Sequence, residues 1–335
     1  MEFTYFIGTD VSKQKLDFAV MQDKNLLFHA EIENSPKHIA AFIREQIKLP
    51  NFDLNRAVFC MEHTGIYSNH LLLCLHKMGA KVCLEAATHI KNSLGNIRGK
   101  NDRIDAIRIA DYAYRNSERL RLWAPKRDVV VKLAQLSATR SRLITVKKML
   151  TVPIREVSSF LDKKNASANA KLCKISIGAI EKDLIRIEKT IDELIENDPE
   201  LKRLSRLVTS VGGIGKVTAT EMLITTNEFK DIKEAKKFAC YCGVAPFTKE
   251  SGMFKGKARV SHMANKKMKT LLHMAALVAL QHNKDLKIYY ARKVNEEKKN
   301  KMCVINAIRN KLILRVFACV NQNKEYEINY QKLVA

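Results

Sequence analysis

The sequence predicts an α/β N-terminal domain, a helical coiled-coil middle and a mostly α-helical C-terminal domain. Three observations predict this. Near the N-terminus, three consecutive segments alternate apolar and polar residues with period two, then strand and helix patterns take turns. Leucines and isoleucines next recur at heptad steps along two long segments. Beyond them the pattern is helical, broken by glycine turns and one basic loop. The boundaries fall at 1–117, 118–200 and 201–335.

FTYFIGTD, KLDFAVMQ and NLLFHAEIE are the first three strands, with turn chemistry at DKN between the last two. Ser35 and Pro36 open a helix through AAFIREQIKL, because the fixed φ of proline suits a first turn. AVFCMEH is a fourth strand. A helix through YSNHLLLCLHKM stops at Gly79, and AKVCLEA is a fifth strand. After the basic loop GNIRGKN comes a helix opening KNDRIDAIRIADYA. The order is βββ-α-β-α-β-α, a meander feeding alternating α/β units.

Residues 116–128, NSERLRLWAPKRD, break the pattern. The first long helix carries Leu136, Leu143 and Leu150 and is expected to end before Pro153. The second carries Ile180, Leu184, Ile187, Ile191 and Leu194, an a/d seam. DKKNASANAK between them reads as a polar, mobile connection. The seam suits a hairpin within the chain or a pairing between chains, hence a homo-oligomer, dimer or tetramer.

Charge narrows the function. Across 335 residues, 59 Lys+Arg against 35 Asp+Glu leave a net +24. An excess of that size points to a polyanionic partner, and nucleic acid is the usual one. The eight cysteines form no pair of C-x-x-C motifs and mostly sit in apolar runs, as reduced thiols do. No apolar span of 18 residues and no signal-type N-terminus occurs, so a cytoplasmic, nucleoid-associated protein that does not engage membranes is expected.

Four acids carry the chemistry. Asp10 ends the first strand and Glu62 the fourth, and these strands are expected to be neighbours. Asp102 and Asp105 are three apart, on the helix face that continues through Ala106, Ile109 and Ala113. Singly, Asp102 suits a helix cap and Asp10 a turn. Jointly, four carboxylates aimed at one place cannot all stay ionised without a cation. Mg2+ or Mn2+ meets that need, and two such ions about 4 Å apart can clamp a phosphodiester. His63, beside Glu62, is a candidate proton carrier.

The second half offers two further features. LVTSVGGIGKVTATEMLI places Gly213, Gly215 and Lys216 at a turn into a helix, read as a helix-hairpin-helix approaching DNA phosphates. A tight helix–helix turn explains the same residues. Ser251 follows Pro246 and precedes Gly252 in a loop, and Lys255, Lys257, Arg259, Lys266, Lys267 and Lys269 follow with no acid among them. Cations around a serine can stabilise charge developing on an attacked phosphate.

The meander with D…E…D-x-x-D resembles the RuvC-like branch of the ribonuclease H fold. FIGTDVSK, the Glu62 strand and KNDRIDAIRIA resemble the DEDD transposases of the IS-one-ten insertion-sequence family, and the segment around Ser251-Gly252 resembles that family's C-terminal domain. The resemblance implies a DNA transposase whose acids Asp10, Glu62, Asp102 and Asp105 bind metal. It implies that Ser251 attacks the DNA backbone to form a covalent phosphoserine link. The two domains would build a composite site, across protomers, with an element-encoded guide RNA as a further partner. Asn101 stands where the family has Thr or Ser, Ala264-Asn265 where it has Gly-Asn, and Lys269 where it has Arg. Lysine keeps that charge but loses the bidentate fork. A metal-dependent junction-resolving nuclease and a non-catalytic nucleic-acid scaffold are the rival readings.

Overall fold

Alternation in the N-terminal third builds a five-stranded mixed sheet. The computed structural model describes residues 3–48, 52–93, 101–160, 163–248, 250–252 and 254–327. The loop expected at 95–101 lies outside them except for Asn101. β1 (Tyr5–Val11), β2 (Lys15–Gln22) and β3 (Asn25–Glu33) form an antiparallel meander. Helix α1 (Pro36–Ile47) leads to β4 (Ala57–Glu62), and α2 (Asn69–Lys77) leads to β5 (Lys81–Glu85). β4 pairs with β1, and β5 with β4, both in parallel, giving the order β3-β2-β1-β4-β5. The strands expected to be neighbours are neighbours. This is an α/β fold with a mixed sheet.

Because alternate residues face opposite sides, the sheet has two cores. Ile7, Phe18, Phe59 and Met61 meet Ile39 and Ile43 of α1 and Leu71 and Leu75 of α2. On the other face Phe6, Ala19, Val58, Cys60 and Cys83 meet α4 (Asp102–Arg115), which follows the short α3 (Ala87–Ser93). α4 buries Ala106, Ile109, Ala110 and Ala113, a stripe of mostly small side chains that lets it lie close to the strands. The chain then returns to the sheet: Trp123 N–H donates to Val82 O at 2.7 Å, and Leu122 bridges Cys83.

The chain divides into two compact units, Met1–Pro125 and Lys126–Ala335. The second opens with α5 (Asp128–Phe160) and α6 (Lys163–Asn197), which pack as an antiparallel hairpin. Arg140 pairs with Glu188 at 2.7 Å, and Lys147 with Glu181 at 2.7 Å: seven residues onward in one helix, seven back in the other.

Two expectations are corrected here. α5 does not stop before Pro153 but runs through it. Residues on both sides of the proline, Thr151, Ile154 and Arg155, face Lys174, Ile177 and Glu181 of α6, and that pairing outweighs the lost backbone hydrogen bond. The stretch read as a mobile connection is helical from Lys163 onward. Its alanines and lysines are good helix formers.

The rest of this unit is helical around one core. α7 (Pro199–Thr209), α8 (Lys216–Thr226), α9 (Ala235–Tyr241), α10 (Lys266–His282), α11 (Lys284–Ala291) and α12 (Lys301–Gln322) enclose Leu204, Leu207, Met222, Phe238, Leu272, Ile308 and Phe317. Four two-residue strands interrupt the helices: β6 (Pro246–Phe247) pairs with β9 (Arg259–Val260), and β7 (Glu250–Ser251) with β8 (Phe254–Lys255). Arg127 fastens the start of the unit, reaching Asp198 at 2.8 and 2.9 Å and Glu228 at 3.0 Å. None of the described helices is long and apolar enough to cross a membrane.

Candidate active site

Asp10 is the sixth residue of β1 and shares the α4 side of the sheet with Phe6 and Gly8. Thr9 is paired with Met61, so Asp10 and Glu62 are each the next residue in adjacent parallel strands. α4 supplies the other two acids from its first turn. Its cap is Asn101, whose side chain accepts from Ile104 N–H at 2.7 Å. Asp102 therefore does not serve as the cap.

Burial pushes the Asp10 carboxyl up to about 6, helped by the charges of Asp102, Asp105, Glu62 and then Asp17. The four expected acids thus share one electrostatic neighbourhood. Two of them are turned towards cations: Asp102 Oδ2 lies 3.0 Å from Lys15 Nζ, and Asp105 Oδ1 lies 2.9 Å from Arg108 Nη1. Among the described residues, no three His, Cys, Asp or Glu side chains stand close enough to hold one ion as they are turned. The donors are all carboxylate oxygens, the ligands that Mg2+ and Mn2+ favour. A half-buried acid whose ionisation its neighbours oppose is one that a divalent ion would relieve. On both counts the residues fit such an ion.

Sequence reasoning passed over three residues of this neighbourhood. Asp17 is buried opposite Asp10 in the β1–β2 pair, with its carboxylate 2.9 Å from His29 Nε2. Lys15 reaches Glu31 at 2.9 Å and Asp17 at 3.7 Å as well as Asp102. Glu85 is the register partner of Glu62, with Oε2 2.9 Å from His89 Nδ1. The signal was present in K-L-D: period two puts Lys15 and Asp17 on the Asp10 face. His63 is exposed, and its backbone N–H donates to Glu85 O at 3.0 Å.

In the second unit, Gly213 has φ +100°, and a Cβ placed on it would come 2.6 Å from Ala275 O of α10. The turn between α7 and α8 is packed inward there, which accounts for this glycine structurally. Gly215 caps α8 with open space beside it. Lys216 Nζ pairs with Asp192 at 2.8 Å, and Lys267 Nζ with Glu221 at 2.6 Å.

Ser251 is exposed, paired with Phe254 across a hairpin that turns at Gly252, φ +56°. Lys255 belongs to that hairpin. Lys257 and Arg259 follow, exposed, and Lys266, Lys267 and the half-buried Lys269 form the first turn of α10.

Comparisons with known proteins agree with this layout. Residues 7–163 match the DEDD transposase domain of the IS110 type, described as "Transposase". Residues 205–291 match the domain described as "Transposase IS116/IS110/IS902 family". The pilin gene-inverting protein of Moraxella bovis is 25% identical over 327 residues, covering 96% of this chain and 97% of that protein. A 43.6 kDa protein of the insertion element IS110 from Streptomyces coelicolor is 26% identical over 152 residues, 45% of this chain and 36% of that protein. Among solved structures, RuvC of T. thermophilus with a Holliday junction substrate aligns with TM-score 0.27 and 14% identity, covering 36% of this chain and 99% of that one. The matched domains define the class as transposase. Residues 7–163 and 205–291 are therefore transposase domains of the IS116/IS110/IS902 type.

Proposed function

We propose that this transposase cuts and rejoins the DNA strands of an insertion sequence, using the four acids as a divalent-metal site and Ser251 as nucleophile. The single observation that carries the metal site is the Asp10 carboxyl held up near 6 among Asp102, Asp105 and Glu62. Mg2+ or Mn2+ bound there would polarise the scissile phosphate. Asp10 and Glu62, rooted in adjacent strands, would fix the site, while Asp102 and Asp105 would exchange their lysine and arginine partners for it. Ser251 Oγ would form a bond to phosphorus as the strand's own oxygen departs, taking up the serine proton. Religation reverses these changes, so no phosphodiester bond energy is lost.

The exposure of Ser251 and the lysines and arginine beyond it support Ser251 in that role, since cations stabilise the charge of phosphoryl transfer. The net charge of +24 supports contacts with both DNA and an element-encoded guide RNA, which would leave sequence reading to base pairing. The name of the Moraxella bovis relative supports gene inversion as the kind of rearrangement. Exposed apolar residues along the long hairpin, Met149, Phe160, Leu172 and Ile175, support an oligomer that covers them.

A strand-transfer assay tests the reading, run with and without the transcript flanking the gene. Asp10→Asn should abolish cleavage while DNA binding persists. Ser251→Ala should abolish rejoining and the covalent protein–DNA species seen on denaturing gels. Rejoining at the wild-type rate by Ser251→Ala would favour attack by water.

A further inference from the structure

Beside the β6–β9 ribbon lies a cavity of ≈ 680 Å³, within the range of about 300–1,000 Å³ usual for small-ligand sites. Its lining includes Arg259, His262, Lys269, Arg309 and Asn310, and no lining residue is acidic.

Arg309, on α12, is unusual. It is only 6% exposed, yet it makes no ion pair with any described residue. Nη2 meets His273 Nδ1 at 2.6 Å, Nη1 reaches Asn306 Oδ1 at a long 3.4 Å, and Nε has no partner. Arginine has no acceptor, so His273 must accept at Nδ1 and carry its proton on Nε2, which keeps the ring neutral. Burial draws the Arg309 pKa down, the direction expected of a desolvated cation without an anion.

An uncompensated buried charge is strongly unfavourable, whereas an apolar side chain there would not be. An anion entering the cavity would supply the missing partner. Nη1, held only at 3.4 Å by Asn306, is the donor free to turn towards a phosphate oxygen, and a guanidinium suits such an anion. Arg259 and Lys269 supply further positive charge around the cavity.

We propose that this cavity is a backbone-phosphate subsite for a DNA strand, with Arg309 as its buried anchor. DNA is the favoured source because the ribbon lining the cavity, Pro246 and Arg259–Val260, also carries the hairpin of Ser251. That choice of source rests on the proposed function; the anion chemistry does not.

The cavity contains its own reporter. Cys303 lines it and is exposed. Iodoacetamide labelling of Cys303, read by peptide mass spectrometry, should slow at least about fivefold when a short DNA duplex binds. The slowing should be equal in wild type and Ser251→Ala, so a failed serine mechanism leaves this result standing. Arg309→Met should weaken duplex binding about tenfold and flatten the salt dependence by about one phosphate contact, a slope change near 0.9. Its melting temperature should hold or rise, because a buried charge is removed.

A merely structural arginine predicts a lower melting temperature with unchanged DNA affinity, and either result overturns the proposal. Arg309→Lys keeps charge without the fork and should bind at an intermediate level. Unaltered Cys303 labelling in the wild-type protein with duplex bound also overturns the proposal. Protection by single-stranded RNA alone overturns the assignment to DNA.

Discussion

Gly8 lies directly beneath Ala106. A Cβ built on Gly8 would come 2.1 Å from the Ala106 carbonyl oxygen and 2.3 Å from the Ala110 backbone nitrogen. Only a residue without a side chain allows α4 to approach β1 so closely, and this approach brings the first turn of α4 to Asp10, two residues along the strand. Both obstructing atoms belong to the backbone, so no side chain can swing away. Gly8→Ala should cost more than the about 1–3 kcal/mol of ordinary overpacking. Chemical denaturation would measure that loss. Cleavage should fall with it, even though no acid has been touched.

Asp10 gives a pH signature. Its folded carboxyl titrates at about 6, above the ordinary 3.8. The folded state therefore holds a proton that the unfolded state releases, and stability falls as pH rises between those values. The full cost applies above pH 6 and disappears below 3.8. In EDTA, Asp10→Asn should be more stable than wild type at pH 7.5, by about 1 kcal/mol after solvent screening, and equal to it near pH 4. Thermal melts across pH would show the two curves converge on acidification. A constant gap would contradict the assignment.

Lys15 would compete with a metal ion for Asp102. Its ammonium holds Asp102 at 3.0 Å and Glu31 at 2.9 Å. Lys15→Met should free Asp102 and remove a positive charge beside any incoming ion. Mn2+ binding, followed by calorimetry, should tighten severalfold, while the metal-free protein should melt lower. Weaker Mn2+ binding in the variant would show instead that Lys15 helps assemble the site.

The Glu228 side chain is fully buried and depends on Arg127 and Lys230. Three successive non-glycine residues, Asn227, Glu228 and Phe229, have φ between +50° and +62°, backbone that must be held in place. Arg127→Met should cost about 1.5–3 kcal/mol, because it leaves the buried carboxylate to Lys230 alone and breaks the Asp198 pair. The double variant with Glu228→Gln should recover part of that loss. Urea unfolding followed by helical circular dichroism would measure both.

The legible parts of this molecule were those written in local periodicity. The β1–β3 meander, the parallel strands β4 and β5, α4 and the two long helices follow from alternation, glycine stops and heptads. That the four acids share one neighbourhood was legible because each lies near the end of a strand or in the first turn of a helix, where direction is predictable. Pro153 misled because local propensity favours a break and only the distant α6 overrides it. Lys15 and Asp17 were overlooked because charges on a strand read as a solvated face until α4 is known to cover that side. Arg309 was invisible for a related reason. On α12 it looks like any helical arginine, and its isolation appears only when α10 and the β6–β9 ribbon close around it.

The attachments of Trp123 and Arg127 have a mechanical implication. Trp123 is tied to the edge of the sheet through Val82, and Arg127 is gripped by Asp198 and Glu228. Only Ala124, Pro125 and Lys126 intervene, a leash of roughly 14 Å when drawn straight, and the ring of Pro125 fixes one of its torsions. A glycine insertion between Ala124 and Lys126 would lengthen that leash while leaving both anchorages intact, and limited proteolysis should then cut there first.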